Sequence, residues 1–133
     1  MEDVSNWRLL VVDDEYDNIG VIKLVMEFYE VPVLTARSGE ECLELLKQET
    51  PNMLLVDIRM PGMSGYELLE HLRQHHAWCD MTAVAVTAQA MQGDRERIIQ
   101  AGFDGYISKP ISAMTLVDDL RAIVQMKGKH DPA

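Results

Sequence analysis

Short apolar runs alternate along the chain with segments in which apolar residues recur at helical spacing. Residues 9–12 form a continuous apolar run, as expected of a strand that is buried on both faces. In residues 18–30 the apolar positions recur every three to four residues, which predicts a helix. The same alternation continues along the chain. The predicted strands are residues 9–12, 31–35, 53–57, 82–87 and 106–108.

Capping and turn residues mark several helix ends. Ser38 and Glu41 have the spacing of a capping box, in which the serine hydroxyl caps the helix and the glutamate reaches back to the serine backbone. Gly102 is placed to end the fourth predicted helix. The fifth predicted helix covers residues 112–126, and the polar tail 127–133 is expected to be disordered.

Regular alternation of strands and helices is typical of an α/β protein with a parallel sheet between two helical layers. A length of 133 residues and 47% hydrophobic residues suffice for one domain, predicted at residues 1–126. In such sheets ligands bind at the carboxyl ends of the strands. The residues that follow or finish the predicted strands should therefore carry the function, and they are Asp13, Asp14, Asp57, Thr87 and Lys109.

Composition excludes several classes of partner. The net charge is −10 at pH 7, which disfavours direct binding to nucleic acid or to an anionic membrane, because both are polyanions. The apolar runs are too short to cross a bilayer. The two cysteines are far apart in the sequence and are interpreted as reduced thiols of a cytoplasmic protein.

The strand-end residues predict a chemistry. Carboxylates that meet at one sheet edge repel one another and favour a bound cation, and oxygen ligands suit a hard ion such as Mg²⁺. Asp57 would then act as a nucleophile and form an aspartyl phosphate. Lys109 would supply a second positive charge, and Thr87 a hydroxyl donor. Each residue alone is more often a turn former or a surface group, so their shared position favours the functional interpretation.

Four segments resemble the motifs of bacterial response-regulator receiver domains of the chemotaxis-regulator type. They are VVDDE at 11–15, LVDIRMPGMSG at 55–65, VTA at 86–88 and AGFDGYISKP at 101–110. The resemblance extends over nearly the whole chain. It implies a doubly wound, flavodoxin-like fold, with a five-stranded parallel sheet in the order 2-1-3-4-5 and five flanking helices.

The resemblance also implies roles for single residues. Asp57 would accept a phosphoryl group from a histidine of a sensor kinase or of a phosphotransfer protein. Asp14 and Asp57 would bind Mg²⁺ (or Mn²⁺) directly. Asp13 would bind the ion mainly through water, and Arg59 through its backbone carbonyl. The backbone of Ala88 would contact the phosphoryl group.

A conformational switch is implied as well. On phosphorylation the Thr87 hydroxyl would turn toward the phosphoryl group, and the Tyr106 ring would move into the vacated space. The fourth helix, fifth strand and fifth helix, roughly residues 94–126, would form the surface that reports the change, and a homodimer could use the same surface. Arg59 and Gln89, two positions after Asp57 and Thr87, would influence the lifetime of the phosphoryl group. The Lys109–Pro110 peptide bond would be cis.

Other functions have signatures of their own. A Mg²⁺-dependent phosphatase would need an acid two residues after its nucleophile, where this chain has Arg59. A flavodoxin-like cofactor binder would need a phosphate-binding loop after the first strand, where the acidic segment 13–15 would repel phosphate. We therefore expect a signalling switch rather than an enzyme. The remaining alternative is an interaction module of the same fold that works without phosphorylation.

The first predicted helix carries more apolar residues than one buried face needs. Leu24 and Phe28 flank the core-facing positions, and only Lys23, Glu27 and Glu30 make a clearly polar line. The favoured interpretation is that Leu24 and Phe28 pack against the C-terminal helix. The alternative is a docking face for a kinase, a phosphotransfer domain or a second copy of the chain.

Overall fold

A computed structural model describes residues 4–88 and 92–130 of the chain. One parallel sheet has the order β2-β1-β3-β4-β5, which confirms the predicted fold class and strand order. The strands are β1 (Leu9–Val12), β2 (Val33–Ala36), β3 (Met53–Asp57), β4 (Thr82–Thr87) and β5 (Gly105–Ser108). The helices are α1 (Tyr16–Phe28), α2 (Gly39–Leu46), α3 (Gly65–Gln74), α4 (Gln92–Ala101) and α5 (Leu116–His130), preceded by a short 3-10 helix at Val4–Asn6.

Alternate residues of the central strands enter two hydrophobic cores, one on each face of the sheet. In β1, Leu9 and Val11 enter the core under α1 and α5, whereas Leu10 and Val12 enter the core under α2, α3 and α4. The central strands are therefore covered on both sides, which explains their continuous apolar runs. Both cysteines are free, as predicted, and burial raises the pKa of the Cys42 thiol to about 12.

Helix α5 extends further than the sequence predicted. It begins four residues after the predicted start and ends at the last described residue, so the prediction of a disordered tail is wrong for residues 127–130. The Lys127 side chain donates to the Asp80 carbonyl at 2.6 Å and to Asp104 Oδ2 at 3.3 Å. These partners are distant in sequence, so helical periodicity could not reveal them. Residues 131–133 of the predicted tail lie outside the described residues.

Leu24 and Phe28 are not packed against the C-terminal helix, so the favoured interpretation of these residues is wrong. Their side chains are 70% and 83% exposed. With Tyr16 and Gly20, which are also exposed, they form a stripe at four-residue spacing along the outer side of α1. The core contacts of this helix are made by other positions, namely Ile19, Ile22, Val25 and Met26.

Serine caps begin two of the helices. Ser38 Oγ accepts the Glu41 N–H at 3.1 Å, as predicted, but the Glu41 carboxylate accepts the N–H of Arg37 rather than that of Ser38. A complete capping box occurs instead at the start of α3, where Ser64 and Glu67 exchange both hydrogen bonds. This cap fixes the start of the helix that follows the loop after β3.

Candidate functional site

Strand register brings the acidic residues after β1 to the acidic end of β3. The two strands pair up to the last residue of β1, so the next residue, Asp13, is level with Asp57. Asp13, Asp14, Glu15 and Asp57 each place one carboxylate oxygen within 4.8 Å of the others. We call these four residues the acid site. The acid site lies at the carboxyl edge of the sheet, beside β1, where the strand order reverses.

Lys109 lies among these carboxylates. Its Nζ atom is 3.2 Å from Asp57 Oδ2, 3.6 Å from Asp13 Oδ2 and 3.3 Å from Glu15 Oε1. Asp13 and Asp57 are buried, with 1% and 3% of their surface exposed. When all four carboxylates are ionised, a single ammonium group leaves a surplus of three negative charges. Such a surplus in a buried place favours a bound cation.

The pKa values of Asp57 and Lys109 are both raised, for different reasons. Burial, followed by the charge of Asp13, raises the pKa of Asp57 from its usual 3.8 to about 6, although Lys109 and the Arg59 N–H act the other way. Burial alone would lower the pKa of Lys109, but the carboxylates of Asp13 and Asp57 outweigh it and raise that pKa above its usual 10.5. Lys109 is therefore a permanent cation at neutral pH.

Gly65 allows α3 to begin directly against the backbone that follows Asp57. A Cβ atom at Gly65 would lie 2.7 Å from the Asp57 carbonyl oxygen and 2.9 Å from the Cα of Ile58. The Gly65 N–H donates to the Ile58 carbonyl at 3.0 Å. Because both close atoms belong to the backbone, a larger residue would displace the segment that carries Asp57.

Thr87 and Tyr106 lie on the two strands beyond β3. Thr87 is buried at the end of β4, and its carbonyl accepts the Lys109 N–H at 2.8 Å, which joins the ends of β4 and β5. Ala88 follows it and is exposed. Tyr106 is half-buried against the core under α2, α3 and α4, and the guanidinium carbon of Arg95 lies 5.6 Å from its ring centroid.

A family model described as the response regulator receiver domain matches residues 9–121. The chain belongs to this family. The polar-differentiation response regulator DivK of Brucella ovis is 34% identical over 114 residues, which cover 86% of this chain and 93% of the relative. Receiver domains of this family are signalling switches of two-component systems rather than classical enzymes.

Solved structures share the fold. The chemotaxis response regulator CheY4 of Vibrio cholerae superposes with a TM-score of 0.83 at 21% identity, covering 88% of this chain and 98% of the CheY4 chain. The receiver domain of the sensor histidine kinase PA1611 of Pseudomonas aeruginosa has a TM-score of 0.78 at 27% identity, with coverage of 93% and 99%. A magnesium ion is coordinated in the active site cleft of that second structure.

The donor set of this receiver domain fits a hard divalent ion. Its converging ligand atoms are all carboxylate oxygens, the type that Mg²⁺ and Mn²⁺ prefer. Two backbone hydrogen bonds orient the carboxylates: Asp13 Oδ1 accepts the Glu15 N–H at 2.9 Å, and Asp57 Oδ1 accepts the Arg59 N–H at 3.2 Å. The site can therefore hold the metal that the acidic strand ends predicted.

The receiver domain brings together most of the residues that the sequence singled out. Asp13, Asp14, Asp57 and Lys109 meet, and the Lys109–Pro110 peptide bond is cis, as the resemblance implied. Their roles, with those of Thr87, Ala88, Tyr106 and the Arg59 carbonyl, remain predictions. Gln89 lies outside the described residues.

Glu15 is the candidate that sequence reasoning missed. The sequence analysis used it in a motif and in an acidic segment but gave it no role in the metal site, yet it contributes an oxygen to the acid site and pairs with Lys109 at 3.3 Å. Its place in an acidic run directly after a buried strand was the available signal.

The helices of this receiver domain contain no candidate membrane span: within residues 4–88 and 92–130, none combines the length and the apolar character that crossing a bilayer requires.

Proposed function

We propose that Asp57 accepts a phosphoryl group from a phosphohistidine of a partner protein, in a reaction that depends on a divalent metal ion. The observation that carries this proposal is the buried Asp57 carboxylate, which lies in a group of four carboxylates with Lys109 Nζ at 3.2 Å. Perturbed, buried titratable groups at a sheet edge are typical of a reactive site.

Four residues of the chain would have separate roles in the transfer of the phosphoryl group. The Asp57 carboxylate attacks phosphorus, the phosphorus–nitrogen bond to the donor histidine breaks, and the bonding electrons remain on the imidazole nitrogen. Lys109 stays beside the transferred group and neutralises its charge. The Thr87 hydroxyl and the Ala88 backbone donate hydrogen bonds to the phosphoryl oxygens.

Asp14 and Asp57 would hold Mg²⁺ or Mn²⁺ directly, Asp13 would do so through water, and the Arg59 carbonyl would complete the set. The bound ion would supply positive charge that neutralises the phosphoryl oxygens and draws them to the acid site. The magnesium ion in the related receiver domain of PA1611 supports this assignment.

The phosphorylated state would be read at the surface formed by α4, β5 and α5. New hydrogen bonds to the phosphoryl group would turn the Thr87 hydroxyl inward, and the Tyr106 ring would follow into the vacated space. Tyr106 is half-buried against the core, with the Arg95 guanidinium 5.6 Å from its ring, so part of the ring surface is exposed and would be buried by an inward turn. A downstream partner or a second copy of the chain would bind the altered surface.

The exposed stripe of α1 would dock the phosphodonor. It starts at Tyr16, two residues after Asp14, and continues to Phe28, so a partner helix lying along it would end beside the acid site. Substituting Leu24 and Phe28 with Gln should slow transfer from the partner and leave labelling by a small phosphodonor unchanged. Ile99→Gln, at a 53% exposed position on α4, is the matched control. Equal slowing in both variants would contradict this docking site.

Intact mass measurement after incubation with acetyl phosphate and Mg²⁺ tests the function. The native chain should gain one phosphoryl group, Asp57→Asn should gain none, and Asp104→Asn, which leaves the acid site intact, should be labelled like the native chain. Labelling of Asp57→Asn to the native level would refute Asp57 as the acceptor. A native chain that stays unlabelled would favour the alternative, an interaction module that works without phosphorylation.

A further inference from the structure

Arg37 joins the loop after β2 to the loop after β1 at the rim of the acid site. Its Nη2 donates to the Asp14 carbonyl and its Nη1 to the Tyr16 hydroxyl, both at 2.8 Å. The guanidinium carbon lies 4.0 Å from the Tyr16 ring centroid. The Arg37 N–H donates to Glu41 Oε2 at 3.3 Å, so the backbone of the arginine is held as well as its side chain.

The Asp14 carbonyl is a sensitive place for such a contact. It belongs to the segment 13–15, whose three carboxylates all contribute to the acid site. Mutual repulsion between these carboxylates and Asp57 acts to spread the segment when no divalent ion is bound. A charge-assisted hydrogen bond to the backbone in the middle of the segment opposes that displacement.

The guanidinium contacts the backbone and a hydroxyl, not the carboxylates of the acid site. The two donors described above end on the Asp14 carbonyl and on Tyr16. Arg37 can therefore hold the segment without taking the place of a metal ion. A lysine could not do the same, because its single ammonium lacks the planar fork that serves two acceptors while stacking on a ring.

We propose that Arg37 is a positioning residue, which holds the segment 13–15 in the arrangement that binds the divalent ion. This inference rests on the proposed metal-dependent function of the acid site. Loss of the contact should raise the Mg²⁺ concentration needed for half-saturation by about three- to tenfold, the effect expected when one solvent-exposed hydrogen bond of ordinary net strength is lost. The labelling rate at saturating Mg²⁺ should stay within about twofold of native, because the ion itself would then hold the segment.

The test is calorimetric titration of the full chain with Mg²⁺, combined with acetyl phosphate labelling across a range of Mg²⁺ concentrations. Arg37→Lys keeps the positive charge but loses the planar guanidinium that serves two acceptors, and Arg37→Gln loses both the charge and the guanidinium. Arg8→Lys is the matched control, because Arg8 also donates to a backbone carbonyl, that of Thr50 at 3.0 Å, but at the amino edge of the sheet. Unfolding in urea without Mg²⁺ reports any general loss of stability.

Weaker Mg²⁺ binding in both Arg37 variants, with native binding in Arg8→Lys and a near-native rate at saturation, would support the proposal. Native Mg²⁺ binding in both Arg37 variants would overturn it. Weakening in Arg37→Lys alone would also overturn it, because the new ammonium would then be competing with the ion. If the native chain itself bound no Mg²⁺, the proposed metal-dependent function would fail first.

Discussion

Two aspartates at opposite edges of the same sheet have contrasting surroundings. At the amino edge, Asp104 Oδ2 accepts the Ala83 N–H at 2.8 Å and lies 3.3 Å from both the Arg73 guanidinium and the Lys127 ammonium. At the carboxyl edge, Asp57 shares the single ammonium group of Lys109 with other carboxylates. Among residues 4–88 and 92–130, Asp104 forms ion pairs with two cations, whereas three carboxylates of the acid site share the ammonium group of Lys109.

The difference in charge balance separates a structural site from a binding site. Arg73 and Lys127 also donate to backbone carbonyls of the neighbouring loops, so the contacts of Asp104 join α3, α5 and the amino ends of β4 and β5. Nothing further is needed to neutralise this carboxylate. The acid site keeps an uncompensated charge, which costs stability and gives the site its capacity to bind a cation.

Removal of the central cation from each edge should give the largest contrast. Lys109→Met should slow labelling by acetyl phosphate about 100-fold, because a preorganised charge beside the transferred group is lost. Lys127→Met should leave the rate within about twofold, because its contacts lie at the other edge. The measurement is the initial rate by intact mass at saturating Mg²⁺. Equal slowing in both variants would mean that the two edges are not independent.

The same substitution should lower the stability at one aspartate and should not lower it at the other. Asp104→Asn should lower the free energy of unfolding by about 2 kcal/mol, because two partly buried cations lose their charged partner. Asp57→Asn should leave it unchanged or raise it, since repulsion with Asp13 disappears. Urea unfolding at neutral pH without metal measures both. A large loss of stability in Asp57→Asn would show that the Lys109 pair dominates over the repulsion.

The smallest expected effect is a pH dependence confined to the carboxyl edge. The pKa of Asp57 is about 6 in the folded chain and 3.8 in the usual reference state, so the folded chain binds this proton more tightly. The stability due to Asp57 is therefore fully present below 3.8 and is lost as the pH rises through about 6. From about pH 7 to about pH 5 without metal, the native chain should gain about 1 kcal/mol relative to Asp57→Asn. An unchanged difference would contradict the raised pKa.

Sequence reasoning worked best where one strand determined the result. The apolar runs that end in Asp14 and Asp57 predicted both the central strands and the edge at which those residues meet. The predicted strand order then places Asp14 beside Asp57, because β1 and β3 are neighbours in the sheet and their carboxyl ends meet. The predicted acid site therefore followed from local patterns together with one topological rule.

Features that depend on distant partners were not predictable in the same way. Lys127 looked like the start of a polar tail, and its partners, Asp80 and Asp104, lie just before β4 and just before β5, distant in the sequence. The sequence favours packing of Leu24 and Phe28 against the C-terminal helix, but both are exposed, because periodicity reports apolar character and not the presence of a neighbouring helix. The hydrogen bond from the Arg37 side chain to the Asp14 carbonyl joins two loops, and no local sequence pattern indicates it.

Stabilisation by Mg²⁺ tests most directly whether the charge surplus at the carboxyl edge is a metal site. Urea unfolding of the native chain, of Asp104→Asn and of the double variant Asp14→Asn/Asp57→Asn is compared with and without Mg²⁺. At about ten times the dissociation constant, Mg²⁺ should raise the free energy of unfolding of the native chain and of Asp104→Asn by about 1.4 kcal/mol each, and that of the double variant by far less. An equal gain in all three proteins, or no gain in the native chain, would contradict a metal site formed by these carboxylates.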